Sequence, residues 1–332
     1  MEKLNVAILT GGNVAERGIS LLSAKTVFQH LDPEKYQPYI IELNGRQFEE
    51  QASNALIDKN DFSLDVNGHL IRFDLVFLML HGHPAEDGSI QGYFDLLGIP
   101  YTGCDHFVSA LTFNKQACKD FLRSHNIPMA PSVLIHQGET LDLAAIRQMS
   151  LPLFVKPNKN GSSYGISKVD RWDDLEAAIE KSFAFDDEVL IEGFLDGSEF
   201  SNGVIRKGQE IVALPITEIR SENDFFDYKA KYENESQEIT PAELPESLSL
   251  QCQALSRRLY KVLGCRGLTR FDYILVEGTF YFLEANTIPG MSEQSIFPQQ
   301  TLAHGWSIRE LLDAVAEEAL SRVKEGRAKE TH

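Results

Sequence analysis

Gly267 to Ser295, GLTRFDYILVEGTFYFLEANTIPGMSEQS, holds two runs rich in Phe, Tyr, Ile, Leu and Val on either side of Glu277-Gly278, closed by Pro289-Gly290. Aromatic and β-branched residues fit a pleated, half-buried surface, so the stretch predicts a β-hairpin. Side chains two apart on a strand share a face, which sets Arg270 beside Asp272 and Glu284 beside Asn286. Pairing Asp272 with Glu284 across the hairpin gathers all four on one patch. That register needs an odd loop, most simply Glu277-Gly278-Thr279, because a two-residue turn puts Glu284 on the opposite face. Two carboxylates and an amide oxygen are hard ligands of the kind Mg²⁺ takes, with Arg270 placed to face a phosphoryl group or its developing charge. The plainer reading is a solvated strand face carrying a surface ion pair, and the chemistry alone does not separate the two.

The chain has 332 residues, 24% charged and 43% hydrophobic, an ordinary soluble composition long enough for two or three domains. A formal net charge of −18 argues against nucleic-acid and anionic-membrane partners, which require a basic surface. Cys104, Cys118, Cys252 and Cys265 form no CxxC pair and read as reduced, buried thiols. With no apolar run of membrane length and no signal-peptide pattern, the expected compartment is the cytoplasm.

Outward from the hairpin, Leu4–Thr10 predicts a strand running into Gly11-Gly12, then a helix with Ile19, Leu22, Thr26, Val27 and Leu31 on one face. Tyr39–Leu43 and Leu75–Leu80 read as further strands, the last nearly all apolar as central parallel strands are. In such sheets ligands sit beyond the carboxyl ends of the strands, where Glu16 and His81 both fall. Taken singly, Glu16 is a first-turn carboxylate and His81 a loop histidine; together they mark a candidate substrate site. Lys115 opens a helix capped by Asn114. Lys156 ends a strand before the Gly/Ser-rich NKNGSSYG, a loop type whose backbone N–H groups can approach phosphates, although a plain hairpin turn looks the same. Glu192-Gly193-Phe194-Leu195 reads as an exposed hinge after the strand EVLIE. Arg220–Pro245 lacks periodicity, and its aromatic centre FFDYKAKY favours an active-site lid.

GGNVAERGIS, LHGHPAEDGSIQG, NKQACKDFL, VKPNKNGSSYGISKV, EVLIE, FFDYKAKY and RFDYILVEGTFYFLEANTIPGM occur in that order, and together they resemble the blocks of D-alanine–D-alanine ligases. The resemblance implies an ATP-grasp fold, α/β and α+β, with a Rossmann-like N-terminal domain. It suggests divisions at 1–103, 104–195 and 196–332, with the lid near 220–245. It implies that ATP phosphorylates one D-alanine and that the amine of a second attacks the acyl phosphate, giving a dipeptide for peptidoglycan precursors. Two Mg²⁺ ions (Mn²⁺ as a substitute) and a homodimer are expected on the same ground.

Carried residue by residue, Lys115, Lys156 and the loop Gly161-Ser162-Ser163 would hold phosphates, Glu192 and Leu195 the adenine, and Glu199 the ribose. Asp272, Glu284 and Asn286 would hold the metal. Glu16 and His81 would meet the first D-alanine, and Lys231 and Ser295 the carboxylate of the second. Arg270 and the backbone N–H of Gly290 would stabilise the tetrahedral intermediate, while Tyr232 would link to Ser162 and Glu16. Gly193, Phe226 and the wording NVAERGIS depart from the usual pattern, though the last keeps its glutamate. A relative using D-serine or D-lactate second, or a non-catalytic nucleotide-binding protein of the same fold, are the alternatives.

Overall fold

The structure, a computed structural model, describes residues 3–12, 16–161, 164–221 and 236–330. Strand β1 (Leu4–Gly11), helix α1 (Arg17–His30) and strands β2 (Tyr36–Asn44) and β3 (Gln47–Glu50) are followed by a small meander, β4 (Ile57–Asp58), β5 (Ser63–Val66) and β6 (His69–Ile71). Next come β7 (Leu75–Leu78) and helices α2 (Ser89–Leu97), α3 (His106–Phe113) and α4 (Lys115–Arg123). A second unit holds β8 (Ser132–His136), α5 (Leu143–Ile146), β9 (Leu153–Pro157), β10 (Ser167–Val169), α6 (Leu175–Phe183) and β11 (Glu188–Gly193). The remainder comprises β12 (Ser198–Lys207), β13 (Glu210–Ser221), β14 (Ser236–Ile239), α7 (Glu246–Leu263), β15 (Leu268–Val276), β16 (Thr279–Asn286), α8 (Ile296–Ala303) and α9 (Ile308–Glu330).

The first sheet runs β3-β2-β1-β7, with β1 parallel to both neighbours. Both of its faces are covered, which is why β1 is apolar without a break from Val6 to Leu9 rather than alternating. Val6 and Ile8 pack with α1 and α9, while Ala7 and Leu9 pack with Phe62, Phe94 and Tyr101 on the other side. Helix α1 departs from expectation at Leu22, which is 56% exposed, while Ser20, Ser23 and Ala24 take the buried face. Small residues let α1 approach the sheet closely and turn Leu22 to the cavity described below.

The second sheet, β10-β9-β11-β8, is covered by α5 and α6, and the third, β14-β13-β12-β15-β16, is covered on one face by α7 together with α3 and α4. The core under α9 joins the first sheet to the third: Leu311, Leu312 and Val315 pack in one cluster with Phe77 and with Ile205 and Leu268. All four cysteines are free and buried.

The hairpin β15–β16 pairs Asp272 with Glu284 and Arg270 with Asn286, the register expected from the polar pattern. The loop is different. Val276 pairs with Thr279, so the turn is the two residues Glu277 (φ 46) and Gly278 (φ 79), both left-handed as such a tight hairpin turn requires. The extra residue lies further down, as a bulge between Asp272/Glu284 and Tyr273/Phe282 that leaves Leu283 without a partner. A bulge changes the phase of a strand by one residue, so it restores Glu284 and Asn286 to the face of Asp272.

The expected hinge at 192–195 is also corrected. Glu192 and Gly193 are the last residues of β11 and pair with β9, and Glu192 is buried. The irregular stretch expected over 220–245 has ordered shoulders, since β14 pairs with β13. Its centre FFDYKAKY, including Phe226, lies outside the described residues.

Candidate active site

One cavity of about 1160 Å³ opens among the three larger sheets. It is lined by Glu16, His81, Lys115, Lys156, Gly161, Glu192, Leu195, Glu199, Arg270, Asp272, Glu284, Asn286, Gly290 and Ser295, every sequence-derived candidate that the structure describes. Ser162, Ser163, Lys231 and Tyr232 lie outside the described residues.

At the end of the first sheet, Glu16 precedes α1 but caps nothing with its side chain. Its carboxylate lies against two glycines instead. A Cβ on Gly82 would come within 2.3 Å of one oxygen, and a Cβ on Gly161 within 3.0 Å of the other. Both glycines are thus read as clearance for Glu16. His81 is buried, with Nε2 3.3 Å from Ser23 Oγ and Nδ1 3.9 Å from Glu86 Oε1. Ser23 Oγ also accepts the N–H of Met291 at 3.0 Å, tying α1 to the segment that carries Gly290.

The second wall is basic. Asn114 caps α4 and is itself held by Asn158 at 2.9 Å, so the start of α4 is fixed to the end of β9. Lys115 donates to Asn160 O at 2.8 Å and lies 3.7 Å from Glu284 Oε2. Lys156 and Glu192 occupy neighbouring strands on a diagonal, where long side chains meet, and they form an ion pair. The other oxygen of Glu192 takes Lys119. Burial pushes the Glu192 carboxyl up, but Lys156 and Lys119 outweigh it and hold it down at about 2. Lys119 is a residue that sequence reading missed; its spacing of four from Lys115 was the available signal.

Next to this wall Phe154 and Phe194 face each other with ring centroids 5.9 Å apart, and Lys168 Nζ sits 5.4 Å from the Phe194 ring. Gly193 between them donates its N–H to Pro131 O at 3.0 Å, and a Cβ there would press on Pro131 Cγ at 3.1 Å. The departure at Gly193 therefore fits a neighbouring proline.

The third wall is the hairpin face. Arg270 donates to both oxygens of Asp272, at 2.9 and 2.7 Å, and Ser201 donates to Oδ1 as well. Burial opposes the guanidinium charge, but Asp272 and then Glu284 outweigh it and raise its pKa. Asp272 is 5% exposed, while the Glu284 side chain is 40% exposed toward the cavity. Among the described residues, Asp272 Oδ2 keeps an acceptor direction beyond Arg270, and Asn286 Oδ1 accepts only Ile288 N at 3.2 Å. This donor set of carboxylate, carboxylate and amide oxygen fits a hard divalent cation. Ser295 immediately precedes α8 without capping it through its side chain; its Oγ lies 2.7 Å from Ser292 Oγ, and a Cβ on Gly290 would come within 2.9 Å of it.

The chain is similar to known proteins over nearly its whole length. The family profile described as D-ala D-ala ligase N-terminus matches residues 5–104, and that described as D-ala D-ala ligase C-terminus matches 121–317. A D-alanine–D-alanine ligase of Flavobacterium johnsoniae is 46% identical over 96% of this chain and 99% of its own. The VanG D-Ala:D-Ser ligase of Enterococcus faecalis superposes with a TM-score of 0.85 at 31% identity, over 95% of this chain and 98% of its own. The ATP complex of the D-alanine–D-alanine ligase of Bacillus anthracis gives 0.80 at 29%, over 97% and 99%.

Proposed function

The chain belongs to the D-alanine–D-alanine ligase family and has its ATP-grasp fold, and we propose that it joins two D-alanines at the expense of ATP, forming ADP and phosphate. The observation that carries the proposal is the meeting of three walls on one cavity. One is basic, one offers hard oxygen donors, and one presents Glu16 and His81.

ATP lies along the second wall. Its purine lies beside the Phe154–Phe194 pair, whose rings exclude water from that end of the cavity, with the backbone of Glu192 to Leu195 at its edge and Glu199 at the ribose. Lys115, Lys156 and the loop 161–163 take the phosphates. Asp272, Glu284 and Asn286 would hold Mg²⁺, which supplies charge neutralisation on the phosphates when bound. Glu16 takes the ammonium of the first D-alanine, and His81 lies near its carboxylate, positioned in line with the terminal phosphate. One carboxylate oxygen attacks that phosphorus, and the bond to ADP breaks. The amine of the second D-alanine then attacks the acyl carbon and loses a proton, and phosphate leaves.

Between these events the carbonyl oxygen carries negative charge. Arg270 and the Gly290 N–H face it, an arrangement that lowers the barrier because the donors need not reorganise. Lys231 and Ser295 would hold the second carboxylate, and Tyr232 would act together with Ser162 and Glu16. Residues 1–103, 104–195 and 196–332 act as the three parts that meet there. A soluble cytoplasmic homodimer supplying peptidoglycan precursors completes the reading. The test is phosphate release from ATP with D-alanine, set against L-alanine, D-serine and D-lactate. Release with D-alanine alone is expected; release with D-serine or D-lactate as second substrate would reassign the product, and no release would refute the proposal.

A further inference from the structure

We propose that Lys119, which does not line the cavity, is a positioning residue for nucleotide: by holding Glu192 from behind, it leaves Lys156 free to meet phosphate. The inference rests on the ATP-dependent reading above. Lys115 and Lys119 stand one turn apart on α4 and share its face, yet they end in different places. Lys115 reaches the cavity wall at Asn160 O. Lys119 is 2% exposed, donates to Ala130 O at 2.9 Å, and takes one oxygen of Glu192. The other oxygen of Glu192 takes Lys156, and both of those residues line the cavity.

Lysines are almost never fully buried unless paired, and this one is paired to a carboxylate that already has a partner. The redundancy has a physical use. With Lys156 as its sole counter-charge, Glu192 would neutralise it. An arriving phosphate would then have to draw Lys156 away and leave a bare carboxylate inside the protein, the expensive way to break a buried pair. With Lys119 fixed behind it, Glu192 keeps a partner when Lys156 turns to the ligand. The three groups also carry a surplus positive charge, which appears on the cavity side because Lys119 is screened from it.

The experiment measures ATP affinity by calorimetry and steady-state kinetics on the full chain. Lys119→Met is expected to weaken ATP about tenfold or more in both Kd and KM, with kcat within about threefold and the KM for D-alanine unchanged. Lys119→Arg, which restores a cation behind Glu192, is expected to keep ATP affinity within about threefold of wild type. A role limited to holding the fold lowers Tm and leaves ATP affinity unchanged. Unchanged ATP affinity in Lys119→Met, or Lys119→Arg no tighter than Lys119→Met, overturns the proposal. Should Lys119→Met fail to fold, Lys119→Gln takes its place with the same supporting and overturning outcomes. A wild-type protein that binds ATP with this mutational pattern but releases no phosphate with D-alanine would refute the ligase reading and keep the inference. Turnover with no effect at Lys119 would do the reverse.

Discussion

The two charged walls of the cavity solve the same problem in opposite ways. On the β9–β11 side one carboxylate, Glu192, is held by Lys119 and Lys156, with Lys115 beside them. On the β15–β16 side one guanidinium, Arg270, is held by Asp272, with Glu284 nearby. In each case the charge in the minority ties its neighbours in place, while Lys115 and Lys156 line the cavity on one side and Glu284 opens to it on the other. The first wall is thereby suited to anions and the second to cations. Buried pairs are weak sources of stability, because desolvation consumes most of the attraction. What this arrangement yields is orientation: two fields of opposite sign, a few ångströms apart at Lys115 and Glu284.

The sharpest way to break the comparison is to neutralise the exposed member of the acidic wall. Glu284→Gln is expected to lower phosphate release by about a thousandfold, as loss of a metal carboxylate or an electrostatic contact to the transition state does. Its urea midpoint should stay at or slightly above wild type, because like charge beside Asp272 is relieved. Wild-type turnover at ordinary Mg²⁺ would remove Glu284 from the site. Arg270→Met attacks the buried member instead. It strands Asp272, so a stability loss of about 3–5 kcal/mol is expected from chemical denaturation, together with loss of turnover.

The basic wall predicts a pH effect. The Glu192 carboxyl is held at about 2 against an ordinary 4.5, so its contribution is complete above 4.5 and is lost as pH falls toward 2. At 1.36 kcal/mol per unit the contribution is about 3 kcal/mol. Urea midpoints measured from pH 5 to 2 should fall less steeply for Glu192→Gln than for wild type; parallel curves would mean that the two lysines do not hold the carboxylate. The smallest expected effect is at the hairpin turn. Gly278 has a φ of 79 with open space around its Cα, so Gly278→Ala is strained by backbone alone. A loss of about 1 kcal/mol with unchanged turnover is expected. A large loss of activity would show that the turn, and not the bulge at Leu283, positions Glu284.

That bulge marks the limit of what could be read from residues. The alternation of Arg270 with Asp272 and of Glu284 with Asn286 made the polar face legible, since strand period is a local property. Where the compensating residue sits is not local: a loop of three and a turn of two with a bulge serve the same pattern, and packing of Tyr273 and Phe282 selects the second. Glu16, His81, Lys115 and Lys156 were placed by their positions at strand and helix ends. Lys119 was not, because a lysine four residues from another usually marks a solvated face, and its burial depends on Glu192 from 73 residues away. The exposed hinge expected at Glu192 failed for the same reason. A carboxylate reads as surface until two lysines are known to surround it.

The position of α9 constrains how the molecule is made. Leu311, Leu312, Val315 and Ala319 complete the side of the first sheet that Val6, Ile8, Phe77 and Met79 leave open. On the ribosome that sheet is synthesised about 230 residues before its cover, and at about 5–20 residues per second the gap is on the order of ten to fifty seconds. For that interval the nascent chain carries a sheet face that α1 covers in part and α9 has yet to close. The three walls of the cavity thus cannot take their final places until α9 has emerged, and a message truncated before Ile308 would leave the sheet beneath Glu16 and His81 with one side of its core only half covered.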